Sequence, residues 1–317
     1  MNRPVLLIDA YNLFCRSYAA NPQMANGEHV GGTMGFLSSF GSIISILRPS
    51  ACIIVWEGGG SARKRAIFPD YKGGRKPQRF NRFYEGEIPD TKENMNWQLK
   101  LLISLLKFTP VRQMYVSDCE ADDVIGYIAR YCFKEKDIVI VSSDHDYYQL
   151  ISKRVNVWSP NQKKLIDENS IVEKYGILPI NFCLARCFDG DVSDSIPGVP
   201  GVGLKTLAKK FPKLSSEEVE LDEILNESRE LSKNSKLKMY KSITESEDLL
   251  KMNWRLMNLD LTSLSATQVK KIEDGIRVEI PQSNKIGLMR TLMQNGVKTF
   301  NVDSLFLQIN ANLVDKQ

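Results

Sequence analysis

Residues 4–9 (PVLLID), 51–57 (ACIIVWE) and 137–146 (DIVIVSSDHD) are short apolar runs that finish on acids, the pattern of strands buried on both faces. MYVSDCE (114–120) leads out of another short strand, and RVNVWS (154–159) reads as one more extended piece. Between them, NLFCRSYAA (12–20), GGTMGFLSSFGSIISIL (31–47), NMNWQLKLLISLLKF (94–108) and ADDVIGYIARYCF (121–133) space their apolar residues as helices do. Strands alternating with helices predict an α/β fold with a mostly parallel central sheet flanked by helices. From about residue 170 the pattern is helical, interrupted by a Pro/Gly-rich hairpin at 196–203. We therefore expect an α/β core over 1–170 and a helical region over 171–317.

The segment 61–85 breaks this pattern. Arg63, Lys64, Arg65, Lys72, Arg75, Lys76, Arg79 and Arg82 alternate with Phe68, Tyr71, Phe80, Phe83 and Tyr84. Charges that track phosphates, interleaved with rings that stack on bases, suit a single nucleic-acid strand. Gly58, Gly59 and Gly60 form a flexible exit at its base. The net charge of +4 points weakly the same way.

Composition narrows the chemistry. An apolar fraction of 43% and a charged fraction of 25% are ordinary for a globular chain. No apolar run approaches the roughly 20 residues of a spanning helix, and VLLI is too short for a signal peptide, so a cytoplasmic protein with no membrane partner is expected. Cys15, Cys52, Cys119, Cys132, Cys183 and Cys187 form no C-x-x-C pair, which argues against a disulfide framework or zinc finger. With only His29 and His145 available, histidine-based nucleophilic catalysis and His-rich zinc sites are disfavoured.

Carboxylates remain. Asp9, Glu57 and the pair Asp144/Asp146 end strands; Glu120, Asp122 and Asp123 open a helix; Asp191 and Asp194 lie in FDGDVSDSIPG. A parallel sheet gathers strand ends on one edge, where ligands bind. So many acids stay ionised together only if cations neutralise them. Oxygen-only ligands select Mg²⁺ or Mn²⁺, and this many suit two or more ions poised for phosphoryl displacement.

The motifs LIDAYNLFCR, FPDYKGGR, CEADDVIG, SSDHDYYQL and GDVSDSIPGVPGVGLKT occur in the order of a known family. Over residues 4 to about 211 the chain resembles the 5′ nucleases: flap endonucleases, the 5′-nuclease domains of bacterial DNA polymerase I, and phage 5′-3′ exonucleases including phage ribonuclease H. The resemblance implies a PIN-like fold with a helical arch over 58–97 and a helix–hairpin–helix duplex clamp over 190–211, often with K⁺ held at the hairpin. It gives Asp9, Glu120, Asp122 and Asp123 to a first metal, and Asp144, Asp146, Asp191 and Asp194 to a second. Lys72 and Arg75, with Tyr71, match the segment that approaches the scissile phosphate, and Arg16 matches a phosphate-binding arginine. Arg63, Lys64, Arg65, Lys76 and Arg79 would line the arch, and Gly201, Gly203, Lys205 and Thr206 the clamp. The family carries aspartate where this chain has Glu57, which puts the metal preference in question. A compact chain with no polymerase portion is expected to be a monomeric, stand-alone, phage-type enzyme of the host cytoplasm. Its substrates would be branched or 5′-ended DNA or RNA:DNA hybrid, and its protein partners a single-strand-binding protein or a sliding clamp.

Overall fold

The computed structural model describes residues 3–74, 91–235 and 237–313. In chain order the strands are β1 (Val5–Asp9), β2 (Met24–Ala25), β3 (Glu28–His29), β4 (Ala51–Trp56), β5 (Arg112–Tyr115), β6 (Ile138–Val141), β7 (Val155–Ser159) and β8 (Lys164–Ile166). β2 and β3 make a small separate hairpin; the others form one sheet in the order β5-β4-β1-β6-β7-β8. Every pairing is parallel except β7 with β8. The chain winds outward from β1 through β4 to β5, then crosses back to β6. The winding direction therefore reverses between β1 and β6, where a crevice opens beyond the strand ends.

The core helices are α1 (Ala10–Ala20), α2 (Gly31–Leu47), α3 (Ala62–Ile67), α4 (Lys92–Leu106) and α5 (Ala121–Tyr127). There follow α6 (Glu168–Tyr175), α7 (Phe182–Asp189), α8 (Leu204–Lys210), α9 (Leu221–Asn234) and α10 (Lys238–Glu245). The chain closes through α11 (Glu247–Met257), α12 (Ala266–Arg277), α13 (Lys285–Gln294) and α14 (Val302–Asn312).

Alternate strand residues feed two cores. Leu6, Ile8, Cys52 and Ile54 pack against Phe14, Phe36, Leu102, Leu288 and Phe306, from α1, α2, α4, α13 and α14. Leu7, Ile53, Ile140 and Val157 face the other way, against Ile125, Tyr148 and Ile272. Each such buried side chain contributes roughly 1.5–3 kcal/mol, so both faces fix the register. A third core under α7 to α11 holds Cys187, Phe188, Leu207, Leu225, Ile243 and Leu256, and it includes Tyr71.

The expected helix over 121–133 is divided: α5 ends at Tyr127 and one wider π turn spans Ile128–Cys132. Arg154 donates to the carbonyls of Ala129 (2.8 Å) and Phe133 (2.7 Å), which takes up acceptors that the regular ladder does not use. The 61–67 stretch forms a helix, with Ser61 accepting from Lys64 N at 3.2 Å as N-cap. Gly58 is not a loose exit. A Cβ there would lie 1.8 Å from Val116 O, because its amide donates to Cys119 O at 3.1 Å. That close backbone pairing sets Glu57 beside Glu120. Gly59 and Gly60 take positive φ with open or flexible surroundings, as an exit segment requires.

Candidate metal centre

Asp9, at the end of β1, is also the N-cap of α1: Oδ1 accepts from Asn12 N at 3.1 Å. Its Oδ2 accepts from Tyr147 Oη at 3.2 Å and Ser142 Oγ at 3.3 Å. Burial pushes its carboxyl up to about 7; the Asn12 amide opposes this, while Asp144, Asp122 and Glu57 reinforce it. Glu57 reaches across to the start of α5, where Oε2 accepts from Ala121 N at 3.3 Å. Desolvation and then its neighbours Asp122 and Glu120 raise its pKa.

Glu120 is buried and densely bonded. Oε2 accepts from Lys64 Nζ and Tyr71 Oη, both at 2.8 Å, and Oε1 accepts from Lys72 Nζ. Burial works against its ionisation, yet the two lysines hold it down at about 2. Asp123 takes Lys64 Nζ on Oδ2 at 3.1 Å, whereas its Oδ1 is buried with no hydrogen-bond partner. Burial raises it to about 7 despite Lys64, helped by Asp122 and Glu120. One carboxylate oxygen each from Glu120, Asp122 and Asp123 lies within 4.8 Å of the others.

A second group stands across the crevice. Asp144 follows β6 and accepts from Asp146 N at 2.9 Å. Desolvation raises Asp144, with Asp122, Asp194 and Asp191 adding, and it raises Asp146 to about 7, with Asp144 adding and Arg186 opposing. Asp191 and Asp194 sit in a tight loop closed by the backbone pair Asp191–Ile196. Gly190 makes that loop possible: its φ is +75°, and a Cβ would meet Gly198 N at 2.5 Å. Lys72 joins the two groups. Its Nζ touches Glu120 and lies 3.8 Å from Asp194 Oδ2, and its amide donates to Asp194 O at 2.9 Å.

The nine acids read from sequence influence one another electrostatically at the sheet edge, with Tyr71 and Lys72 beside Glu120, but among the described residues only Glu120, Asp122 and Asp123 bring carboxylate oxygens within 4.8 Å of one another. Arg16 lies on α1, its Nε donating to Asn161 Oδ1 at 2.7 Å. Gly201, Gly203, Lys205 and Thr206 lie on the loop into α8 and on its first turn, with Lys205 exposed. Arg63 and Arg65 are exposed on α3. Lys64 must be corrected: it does not face an arch but is 3% exposed, turned inward as the counterion of Glu120 and Asp123. Arg75, Lys76 and Arg79, with Phe80, Arg82, Phe83 and Tyr84, lie outside the described residues.

Sequence reading missed Tyr147, Ser142 and Arg186. The first two sit inside SSDHDYYQL and signal nothing alone. Arg186 is the one cation on the helix FCLARCFD, three residues before Asp189 and five before Asp191, a spacing that offered a clue. Its Nη2 donates to Asp191 Oδ2 at 2.7 Å.

Carboxylates crowded at the end of a parallel sheet, with a buried orphan oxygen on Asp123 and, among the described residues, no histidine or cysteine in the close acidic cluster, fit a site for hard divalent cations. Residues 4–176 match the family described as 5′-3′ exonuclease, N-terminal resolvase-like domain, which covers more than half of the chain. The chain belongs to that family. It is 31% identical over 238 residues to DNA polymerase I of Geobacillus stearothermophilus, a match covering 72% of this chain and only 26% of that protein. It is 26% identical over 311 residues to a 5′-3′ exonuclease of Aquifex aeolicus, covering 96% of this chain and 97% of that one. Among solved structures, the bacteriophage T5 flap endonuclease in complex with DNA and metal ions has a TM-score of 0.68 at 21% identity, over 86% of this chain and 97% of that one. That likeness establishes a shared fold. No helix among the described residues is long and apolar enough to cross a membrane.

Proposed function

We propose that this chain is a structure-specific 5′ nuclease that hydrolyses phosphodiester bonds in branched or 5′-ended DNA or RNA:DNA hybrid, using Mg²⁺ or Mn²⁺. The observation that carries the reading is the cluster of Glu120, Asp122 and Asp123 at the sheet edge, with Lys72 reaching from Glu120 toward Asp194. Family membership and the DNA and metal ions named for the T5 structure support it.

Asp9, Glu120, Asp122 and Asp123 would hold one ion, with Glu57 beside them; Asp144, Asp146, Asp191 and Asp194 would face a second. The ions, when bound, supply an activated water and stabilise charge on the phosphate and leaving oxygen. The protein positions that chemistry. Tyr147 and Ser142 hydrogen-bond Asp9, and Tyr71 and Lys64 fix Glu120. Lys72, partly exposed at the crevice, is placed to turn from Glu120 to an incoming phosphate, with Arg75 and Arg16 as further phosphate contacts. Products would carry 5′-phosphate and 3′-hydroxyl ends, with no covalent intermediate.

The loop 196–203 with Lys205 and Thr206 would hold duplex as a helix–hairpin–helix clamp, with K⁺ at its carbonyls. Arg63 and Arg65, continuing into Lys76 and Arg79, would meet the single strand. Phosphate contacts of this kind position without reading sequence. A cytoplasmic monomer working in primer or flap removal, beside a single-strand-binding protein or clamp, fits this role. The deciding experiment is cleavage of a 5′-labelled flap duplex and a blunt duplex, with Mg²⁺ and with EDTA. Cutting near the flap junction that EDTA abolishes is expected; binding without cutting in Mg²⁺ would refute the assignment.

A further inference from the structure

Beside the acids, on the first-core face of the sheet, a cavity of about 440 Å³ opens between α1, α4 and the edge strand β5. Tyr11, Trp56, Leu99, Ile103, Gln113 and Tyr115 wall it, and the walls are almost wholly apolar. Trp56 Nε1 donates to Gln113 Oε1 at 3.0 Å, and Gln113 Nε2 donates to Ile103 O at 3.1 Å. The indole is thereby pinned to both β5 and α4. Glu57 borders the cavity and the acid cluster alike, since its Oε2 accepts from the Ala121 amide beside Glu120. Tyr11 stands two residues past Asp9, and Asp9 pairs in register with Val55, next to Trp56. Positive charge lies at the rim, from exposed Lys107 and from Lys271, whose Nζ is 5.4 Å from the centre of the half-exposed Tyr115 ring.

We propose that this cavity receives one unpaired nucleobase of the 5′ strand, next to the phosphate held at the acids. The inference rests on the nuclease reading above and adds a base subsite to it. Aromatic walls suit a base, because every base has a π face, and the rim lysines suit the phosphates on either side of it. The volume lies toward the lower end of small-molecule sites, roughly 300–1,000 Å³, which is room for a single nucleoside and not for a strand. Gln113 is committed to Trp56 and Ile103 and does not read the base edge, so stacking alone holds the base and tolerates any sequence. Seating that base fixes which phosphate lies over the carboxylates, and the cavity thus sets the position of the cut.

The test is binding of a labelled 5′-flap duplex in Ca²⁺, read by fluorescence anisotropy, with an abasic site moved one nucleotide at a time across the junction. Wild type, Tyr115→Ala, which removes one wall, and Ile103→Trp, which fills the cavity, are compared. Wild type should lose roughly 5- to 150-fold in affinity at one abasic position of the 5′ strand and little at the others. Both variants should bind the intact flap more weakly and show no further loss at that position. The absence of any position-specific loss in wild type, or the same loss in Tyr115→Ala as in wild type, would overturn the proposal. If Ile103→Trp fails to fold, Tyr115→Ala decides, because its side chain is replaced at a site 52% exposed. Failure of wild type to bind any flap or blunt duplex would overturn the nuclease reading itself, so the two failures are distinguishable.

Discussion

Replacing Lys64 by methionine keeps the length of the side chain and removes a buried charge. In the native protein its ammonium stands 2.8 Å from Glu120 and 3.1 Å from Asp123, with its side chain 4% exposed and theirs at 2% and 1%. Removing one partner of such a pair leaves uncompensated charge in a poorly solvated place, at a cost of about 3–5 kcal/mol. Lys72 still reaches Glu120 and absorbs part of the loss, so the lower end, about 3 kcal/mol, is the reasoned value. Unfolding entropy near 2 cal/mol/K per residue over 317 residues converts this to a fall in Tm of about 4–5 °C. The assay is thermal unfolding in EDTA at pH 8, repeated at pH 6 and with saturating Mg²⁺. The gap from wild type should narrow at pH 6, where the stranded carboxylates take up protons, and in Mg²⁺, which replaces the missing charge. Lys64→Arg should lose little. A Tm for Lys64→Met within about 1 °C of wild type in EDTA at pH 8 would refute the reasoning.

Three further outcomes are expected. Asp122→Asn and Asp144→Asn should each lower flap cleavage in Mg²⁺ by at least about a hundredfold while leaving DNA affinity near wild type by fluorescence anisotropy; normal turnover in both would remove the assignment. Without metal, burial pushes Asp9, Asp123 and Asp146 up to about 7 in the folded chain, above the 3.8 of a free aspartate. The folded state then holds extra protons between those limits, so their stabilisation is complete below 3.8 and is lost as pH rises through about 7. In EDTA the Tm should accordingly rise from pH 8 to pH 6, and a flat or falling profile, or the same rise in saturating Mg²⁺, would contradict this. Gly58→Ala, whose Cβ would stand 1.8 Å from Val116 O, should cost at least about 3 kcal/mol in urea unfolding, whereas Gly59→Ala, with nothing within 4 Å but a φ of +94°, should cost about 1 kcal/mol.

The sheet was legible because its central strands are apolar on both faces: PVLLI, ACIIVW and IVIV can hardly be anything else, and the acids that end them could be placed on one edge by topology alone. α3 was not legible, since its turns of ARKRAI expose Arg63 and Arg65 and hide only Lys64, an inversion that no hydrophobic pattern encodes. Lys64 is buried because of Glu120 and Asp123, 56 and 59 positions away, and such pairing is a property of the fold rather than of local sequence. The same holds for Arg186, whose partner Asp146 lies on the far side of β7 and β8 in the chain. Glu57 put the metal preference in question, standing where the family carries aspartate. In the folded chain its extra methylene has a use, because the longer arm reaches the amide of Ala121.

Tyr71 is rooted in the third core, among α7 to α11, yet its hydroxyl binds Glu120 on the sheet side, and the amide of Lys72 is tied to Asp194 O. The reactive constellation is therefore assembled across a seam between two packing units, and neither unit carries it alone. Such units can open separately. Heating that opens the helical unit first should release Asp191 and Asp194, with their ties to Lys72, while Asp144 and Asp146 stay at the end of β6, so cleavage would fall at a temperature where the spectroscopic signature of the sheet is still native. Mutations that tighten the packing of the helical unit would then extend the proposed activity to higher temperature without touching a single carboxylate.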